Sequence, residues 1–203
     1  GLVCLMSACK TSVKSKEWKL VWVEDFDQKN SFDESVWTKI PRGTSDWNNY
    51  MSYYDSCYAM QDGNLILRGI ANHTQKNDTA PYLTGGVYTK GKKLFTGGRV
   101  EVCARLQAAK GAWPAIWMLP EKAEWPKGGE IDIMERLNHD HIAYQTTHSY
   151  YTHILGIKDN PPHGGINKIN LEEYNIYSVD IYPDSLVFAV NHRHTYTYPR
   201  IDT

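Results

Sequence analysis

The amino-acid sequence predicts an all-β protein, built as a β-sandwich or a β-barrel. Two observations support this prediction: many short segments alternate apolar and polar side chains, and turn residues rather than long helical patterns separate them. Strands that follow one another without intervening helices pack as two sheets or as one closed sheet. A chain of 203 residues is long enough to bury a sizeable core in either arrangement.

The predicted strands are distributed along most of the chain. Each is a run rich in β-branched, aromatic and other apolar residues, with polar residues interleaved or at its ends. In chain order these segments are 20–24, 64–68, 99–106, 115–119, 130–137, 143–151, 176–182 and 186–191.

Turn residues mark the connections between the strands. Asp62-Gly63 is typical of a hairpin, and Pro183-Asp184 indicates a second turn. Residues 159–165 contain two prolines and two glycines and indicate a long loop. The one helical feature that we predict is a single turn at 33–37.

The strongest functional signal is the segment 128–135, with the sequence G-G-E-I-D-I-M-E. Successive strand side chains point to opposite faces, so Glu130 and Asp132 share one face. In a regular strand Glu135 would enter the apolar layer on the other face, where an unpaired charge is costly. A β-bulge at Ile133-Met134 turns both apolar side chains inward and returns Glu135 to the face of Glu130. We therefore predict a bulge there.

Two glutamates whose carboxyl groups converge are typical of a glycosidase active site. Four strand steps of ~3.3 Å place the Cα atoms of Glu130 and Glu135 ~13 Å apart, and long side chains that lean together close most of that gap. Carboxyls ~5 Å apart favour a retaining enzyme, whereas an inverting one needs ~6.5–9.5 Å to hold a water molecule. We expect retention. The alternative interpretation is a solvated strand face with acidic side chains.

Residues 130–135 resemble the signature E-[ILV]-D-x-x-E of glycoside hydrolase family 16 in its bulged form, shared by laminarinases, agarases and related endo-β-glycanases. Further blocks resemble that family in the same order: T-G-G-V-Y-T-K at 84–90, G-R-V-E-V at 98–102, G-A-W-P-A-I-W-M-L-P at 111–120 and W-P at 125–126. The resemblance runs from Trp18 to about Tyr198. It implies a β-jelly-roll sandwich of two antiparallel sheets with a concave substrate cleft. Family domains usually continue past the position of Thr203, so we expect C-terminal strands to be missing from this chain.

The resemblance also implies catalytic roles. Glu130 matches the nucleophile that attacks the anomeric carbon, and Glu135 matches the general acid that then serves as general base. Asp132 lies between them and is expected to orient Glu130 through a shared proton. Because like charges disfavour ionising both glutamates, one carboxyl can stay protonated near neutral pH while the other is ionised.

Other residues are expected to bind substrate. Trp113 and Trp117 match family tryptophans that act as sugar platforms, although packing in the core is the alternative for each. His148 resembles a family histidine on the leaving-group side. Trp47 and Asn49 lie where family members bind the donor side of the substrate.

The substrate implied first is a β-1,3- or mixed-linkage β-1,3-1,4-glucan. Many glucan-active members carry an Asn-Glu pair followed by Gln where this chain has W-N-N-Y-M-S at 47–52, and Asp180-Ile181 replaces a familiar Glu-Trp, which is expected to change the cleft lining. These departures keep open an endo-β-galactosidase acting on poly-N-acetyllactosamine-type host O-glycans. An alternative of another class is a non-catalytic carbohydrate-binding jelly roll, since fold alone does not decide function.

Composition limits the partners. The net charge is −1, and the sequence lacks the basic clustering that nucleic-acid binding requires. His139, His141 and His148 lack the ligand spacing of a zinc site, so we expect no metal and no cofactor in catalysis; a structural calcium ion is not determinable from the sequence. The expected partner is a polysaccharide or glycan, and the expected state is a monomer.

The N-terminus is expected to be a targeting signal. Residues 1–8 read as a partial signal peptide, and M-S-A-C at 6–9 resembles a bacterial lipoprotein cleavage box. Cys9 would then be lipidated, residues 9–17 would form a tether, and 18–203 would be the catalytic domain. The only membrane contact would be this lipid anchor, since the apolar run is too short to span a bilayer. The implied location is the bacterial cell envelope, in the outer membrane facing the periplasm or the surface, or outside the cell as a secreted protein.

The mature cysteines leave one question open. With Cys4 removed and Cys9 modified, Cys57 and Cys103 remain, either as one disulfide or as two free thiols.

Overall fold

The computed structural model describes residues 18–202, so the expected leader and tether lie outside the described residues. The described chain forms two compact units, one of residues 21–94 and one of residues 18–20 with 95–202. Every ladder between its strands is antiparallel, which confirms the all-β prediction. In this part of the chain no helix has both the length and the apolar character needed to cross a membrane.

The unit of residues 21–94 consists of short strand pairs. Its strands are β1 (Thr38–Lys39), β2 (Tyr58–Gln61), β3 (Asn64–Leu67), β4 (Gly69–Ala71), β5 (Tyr82–Thr84) and β6 (Val87–Tyr88). They pair as β1 with β6, β2 with β3 and β4 with β5. Asp62 and Gly63 join β2 to β3 with positive φ angles of 53° and 69°, as a tight hairpin requires, so the predicted hairpin is confirmed.

The predicted helical turn is present in the same unit. The Asp33 carbonyl accepts a hydrogen bond from the Trp37 backbone N–H at 2.9 Å, and the Asp33 carboxylate caps the turn by accepting from the Ser35 N–H at 2.8 Å. Cys57 in this unit is a buried free thiol, so it is not part of a disulfide with Cys103.

The strand predicted at 20–24 is wrong for the chain as the structure describes it. These residues belong to no ladder, and Val21 is 90% exposed, so their alternation does not mark a buried face. The segment is fixed by side-chain bonds instead. The Glu24 carboxylate accepts from the Trp37 indole at 3.0 Å and from the Phe26 backbone N–H at 2.9 Å.

The second unit is a sandwich of two four-stranded sheets. Its strands are β7 (Gly98–Arg105), β8 (Ala115–Met118), β9 (Glu130–Glu135), β10 (Ile142–His148), β11 (Gly164–Lys168), β12 (Tyr174–Ile181), β13 (Ser185–Val190) and β14 (Arg193–Pro199). One sheet has the order β11-β10-β9-β8 and the other β14-β13-β12-β7.

The core of this unit lies between its two sheets. Ile133 and Met134 of β9 pack in one cluster with Val179 of β12 and Phe188 of β13, and all four are at most 1% exposed. The Phe188 ring stacks on Tyr196 with centroids 4.5 Å apart. Because each fully buried large apolar side chain contributes roughly 1.5–3 kcal/mol, this layer is a main source of the unit's stability.

Two predictions made from the sequence are wrong in this unit. Residues 164 and 165, predicted as loop, begin β11, and a Cβ on Gly165 would lie 2.9 Å from Thr195 Cγ2, so close packing rather than a turn requires this glycine. The strand predicted at 143–151 ends at His148. Ser149 and Thr152 then form a capping box that starts a π-helical turn, Tyr150–Ile154.

Candidate active site

The predicted bulge in β9 is confirmed. Across β8, Asp132 is opposite Trp117 and Met134 is opposite Ile116, so Ile133 is an additional residue in β9. The pairing with β10 shifts at the same point. Ile133 and Met134 are both buried at 1% exposure, so both apolar side chains point inward.

The bulge places the three carboxylates on one face. Glu130 is opposite His148 on β10, Asp132 is opposite Thr146, and Glu135 is opposite Tyr144. Asp132 is 3% exposed, whereas both glutamates are half-buried. This face therefore combines a shielded carboxylate with two that a ligand can reach.

Asp132 connects Glu130 to His148. The Asp132 Oδ2 lies 3.1 Å from His148 Nε2, and one ligand-type atom from each of the three residues lies within 4.8 Å of the others. The hydrogen bond to Asp132 raises the pKa of His148, and burial opposes it. His148 thus tends to carry the positive charge that offsets the buried Asp132.

Burial, followed by the charge of Asp132 and the hydrogen bond to it, raises the pKa of Glu130 to about 7. His148 and the Trp125 indole act in the opposite direction on this pKa. Glu130 can therefore hold a proton up to near neutral pH.

The pKa of Glu135 is raised as well. Burial, and next the charge of Asp132, raises the pKa of Glu135 above its usual range. The Trp113 indole donates a hydrogen bond to Glu135 Oε1 at 2.7 Å, which lowers this pKa and fixes the carboxyl in place. Glu135 can hold a proton at a pH where an exposed glutamate has lost it.

Both tryptophans predicted upstream lie on the carboxylate face. Trp113 precedes β8, contacts Glu135 and is 47% exposed, and Trp117 on β8 is opposite Asp132. Trp47 and Asn49 belong to the unit of residues 21–94, where Trp47 is 38% exposed. The substrate-binding roles of all four stay predictions.

Trp125 is a site residue that the sequence reasoning did not select. Its indole Nε1 donates to Glu130 Oε2 at 2.6 Å, and its ring packs on His153 with centroids 4.4 Å apart. The available signal was the W-P block five residues before Glu130. This block belongs to the family resemblance, but nothing in the sequence shows which way the indole points.

Asp180 and Ile181 lie on β12, in the sheet that does not contain β9. Asp180 is 6% exposed and accepts two hydrogen bonds from the Arg99 guanidinium, at 2.6 and 2.8 Å, while Ile181 packs against the core. The expectation that this pair changes the cleft lining is therefore wrong, because both side chains are used for ion pairing and core packing.

A β-sandwich with two half-buried glutamates and exposed indoles on one strand face is the arrangement of a glycoside hydrolase. A family model described as "XgeA-like, catalytic GH16 domain" matches residues 58–161. The chain is 30% identical, over 97% of its length, to the β-glucanase of Rhodothermus marinus, of which it covers 71%. The chain therefore belongs to glycoside hydrolase family 16.

Two further comparisons agree with this assignment. The chain is 38% identical, over 94% of its length, to the keratan-sulfate endo-1,4-β-galactosidase of Sphingobacterium multivorum, and it spans 46% of that relative. The solved structure of the laminarinase catalytic domain of Thermotoga maritima MSB8 matches with a TM-score of 0.76 at 27% identity, covering 90% of this chain and 77% of that one. The predicted family and its jelly-roll fold are confirmed.

Proposed function

We propose that this chain carries the catalytic apparatus of a retaining endo-glycoside hydrolase that cleaves internal β-linkages of a polysaccharide. The observation that supports this most directly is the bulge in β9, which places Glu130 and Glu135 on one strand face around the buried Asp132. Family 16 enzymes are retaining. A double displacement by two carboxyl groups accounts for that outcome.

In the first step Glu135, protonated, gives its proton to the glycosidic oxygen as the bond between that oxygen and the anomeric carbon breaks. The Glu130 carboxylate forms a bond to the same carbon from the opposite side. In the second step Glu135, now ionised, takes a proton from water. The resulting hydroxyl replaces Glu130 at the anomeric carbon, and Glu130 leaves as a carboxylate.

Asp132 and His148 support the nucleophile. Glu130 must be ionised to attack, and its side-chain interaction with Asp132 is expected to orient it. The positive charge of His148 favours the ionised form of Glu130 and stabilises the pair. Asp132 and His148 provide the charges around Glu130, and the substrate-binding role expected of His148 stays a prediction.

The exposed indoles supply the sugar-binding surface of the proposal. Trp113 is about half exposed while its N–H holds Glu135, so its ring face is available to the C–H groups of a pyranose. We assign the same role to Trp117, and donor-side contacts to Trp47 and Asn49. Substitution of Trp113 or Trp117 by Ala is expected to weaken oligosaccharide binding.

The first candidate substrate is a β-1,3- or mixed-linkage β-1,3-1,4-glucan. It is supported by the relatives and solved structures named as glucanases or laminarinases. The second candidate is the β-galactoside linkage of poly-N-acetyllactosamine-type chains. Two observations favour it: the 38% identical relative is named a keratan-sulfate endo-1,4-β-galactosidase, and the glutamate expected near 47–52 is absent.

The test is an assay of the full-length protein on laminarin, mixed-linkage glucan, agarose and poly-N-acetyllactosamine, with new reducing ends as the readout. Hydrolysis of one of these, lost on Glu135→Gln, supports the proposal. Binding of a glycan without release of reducing ends would instead indicate a non-catalytic carbohydrate-binding module.

Two-carboxyl chemistry requires no metal or cofactor, and we propose that none takes part. Glu130, Asp132 and His148 form the group of metal-type ligands found among the described residues, but in this mechanism their contacts with one another orient Glu130 and balance its charge. Full activity after dialysis against a chelator is the expected result.

We also propose that the protein acts as a monomer, either at the bacterial cell envelope or outside the cell. At the envelope, a lipid attached to Cys9 would anchor it to the membrane. The lipoprotein-like sequence at 6–9 supports this. Cys9→Ser in the full-length protein is expected to move it from the membrane fraction to the soluble fraction.

A further inference from the structure

The bulge removes a backbone carbonyl from the ladder inside the core. Two residues separate Asp132 from Glu135 on β9, whereas Gln145 alone fills the matching position on β10. The additional residue, Ile133, has no counterpart across that ladder. Because Ile133 is buried, its carbonyl needs a donor from a side chain.

Gln145 provides that donor. Its side chain is fully buried, and its Nε2 donates to the Ile133 carbonyl at 2.8 Å. The same Nε2 donates to the Ala189 carbonyl on β13 at 3.1 Å. Ala189 lies at the irregularity in the pairing of β13 with β14. One amide group therefore holds two irregular strands, one in each sheet.

The oxygen of this carboxamide, in contrast to its nitrogen, accepts no hydrogen bond from the described residues. Gln145 Oε1 is buried and has no hydrogen-bond partner among the described residues. A buried polar atom without a partner is unfavourable, so a side chain of this shape placed only to fill space would be apolar. The two N–H donors are the part of Gln145 that this position uses.

We propose that Gln145 is a positioning residue: its buried carboxamide fixes the bulge of β9 at Ile133 and thereby keeps Glu135 on the face of Glu130. This inference rests on the proposed function, in which both glutamates act on one glycosidic bond. If the bulge moves or relaxes, the strand returns toward regular alternation, in which Glu135 turns to the core and Met134 turns out.

A shift of the bulge would also strain the hydrogen bond between Glu135 and the Trp113 indole. The 2.7 Å hydrogen bond from Trp113 requires the Glu135 carboxyl at one place, and a displacement of about 1 Å at a reacting group can reduce a rate by roughly 100-fold. Loss of Gln145 is therefore expected to reduce kcat more than it raises KM, because the group displaced directly is the carboxyl of Glu135 and not a sugar-binding ring.

The test compares two variants of the full-length protein. Gln145→Met keeps the length of the side chain and removes both donors. Thr147→Val is the matched control, since Thr147 is also buried on the inward face of β10 and loses its 2.9 Å hydrogen bond to Tyr196 without touching the bulge. Gln145→Glu is the rescue variant, because a protonated carboxyl still offers one O–H donor.

We expect Gln145→Met to lower kcat by about 10- to 100-fold, with KM changed less than about 2-fold. We also expect it to displace the alkaline limb of the pH–rate profile, which reports the protonation of Glu135. Thr147→Val is expected to keep kcat within about 3-fold at a comparable loss of Tm. As the pH falls, Gln145→Glu is expected to recover activity relative to Gln145→Met at the same pH. Equal losses of kcat in the Met and Val variants, or an unchanged kcat in Gln145→Met, would overturn the inference.

Hydrogen exchange separates this inference from the proposed function. If the wild-type protein hydrolyses no glycan, the proposed function fails while the claim on the bulge is still tested. The amides of Met134 and Glu135 are then expected to exchange faster in Gln145→Met than in Thr147→Val, and equal exchange would contradict the role of Gln145.

Discussion

The indole Nε1 of Trp125 lies 2.6 Å from Oε2 of Glu130, so the proposed nucleophile accepts a hydrogen bond from a half-exposed tryptophan. Trp113 makes the matching bond to Glu135 at 2.7 Å. Each indole N–H favours the charged form of its own carboxyl and lowers the pKa of that carboxyl. Because the donors are separate, the two carboxyl groups can be perturbed one at a time.

Replacing Trp125 by Phe removes the donor to Glu130 and keeps an aromatic ring. The pKa of Glu130, raised to about 7 in the native protein, is expected to rise further. Hydrolysis needs ionised Glu130, so the acidic limb of kcat/KM moves to higher pH and the active range narrows. A pH–rate profile measures this, and an acidic limb that stays in place would contradict the assignment of Glu130.

Replacing Trp113 by Phe is the matched experiment on the other carboxyl. Loss of the N–H donor raises the pKa of Glu135 further, and hydrolysis needs Glu135 protonated, so the alkaline limb moves to higher pH. The same profile is recorded for both variants. Movement of the acidic limb in Trp113→Phe would mean that the two carboxyls have exchanged roles.

Glu130→Gln removes the nucleophile and keeps the size of the side chain. The rate of hydrolysis is expected to fall by more than about 10⁴-fold, while glycan affinity measured by calorimetry stays within about 3-fold. Glu173→Gln, at an exposed position before β12, is the control and should keep full activity. Near-native turnover by Glu130→Gln would refute its role.

Arg99→Met leaves the buried Asp180 carboxylate without its bidentate partner. We expect the free energy of unfolding to fall by about 2–3 kcal/mol, because a buried charge loses its compensation. Arg200→Met breaks the exposed pair with Asp202 and should change stability by less than about 0.5 kcal/mol. Urea unfolding of both variants measures the difference, and equal effects would contradict the structural role of the Asp180 ion pair.

The sequence was sufficient to predict the central strand because the chemistry of its residues leaves few arrangements. In a regular strand the carboxylate of Glu135 would enter the core unpaired and Met134 would turn to solvent, so a bulge is favoured. The hairpin at Asp62-Gly63 was predictable for a similar local reason, since its turn needs positive φ angles.

The features that the sequence did not reveal depend on tertiary contacts. The segment 20–24 has the composition of a strand but no partner in the described chain. The Trp125 indole meets Glu130 through the course of the intervening loop, and the amide of Gln145 reaches a carbonyl in each sheet. No local pattern specifies either contact. By contrast, the strand β14 does have a local pattern, because the buried Tyr196 and Tyr198 alternate with polar residues.

The measurement that tests the central claim most directly is the anomeric configuration of the first product, followed by ¹H NMR during hydrolysis by the full-length protein. Two carboxyls that act on one bond by double displacement release the β-anomer first, which then mutarotates. Appearance of the α-anomer first would show that water attacks directly, and would contradict the roles of Glu130 as nucleophile and Glu135 as acid and base.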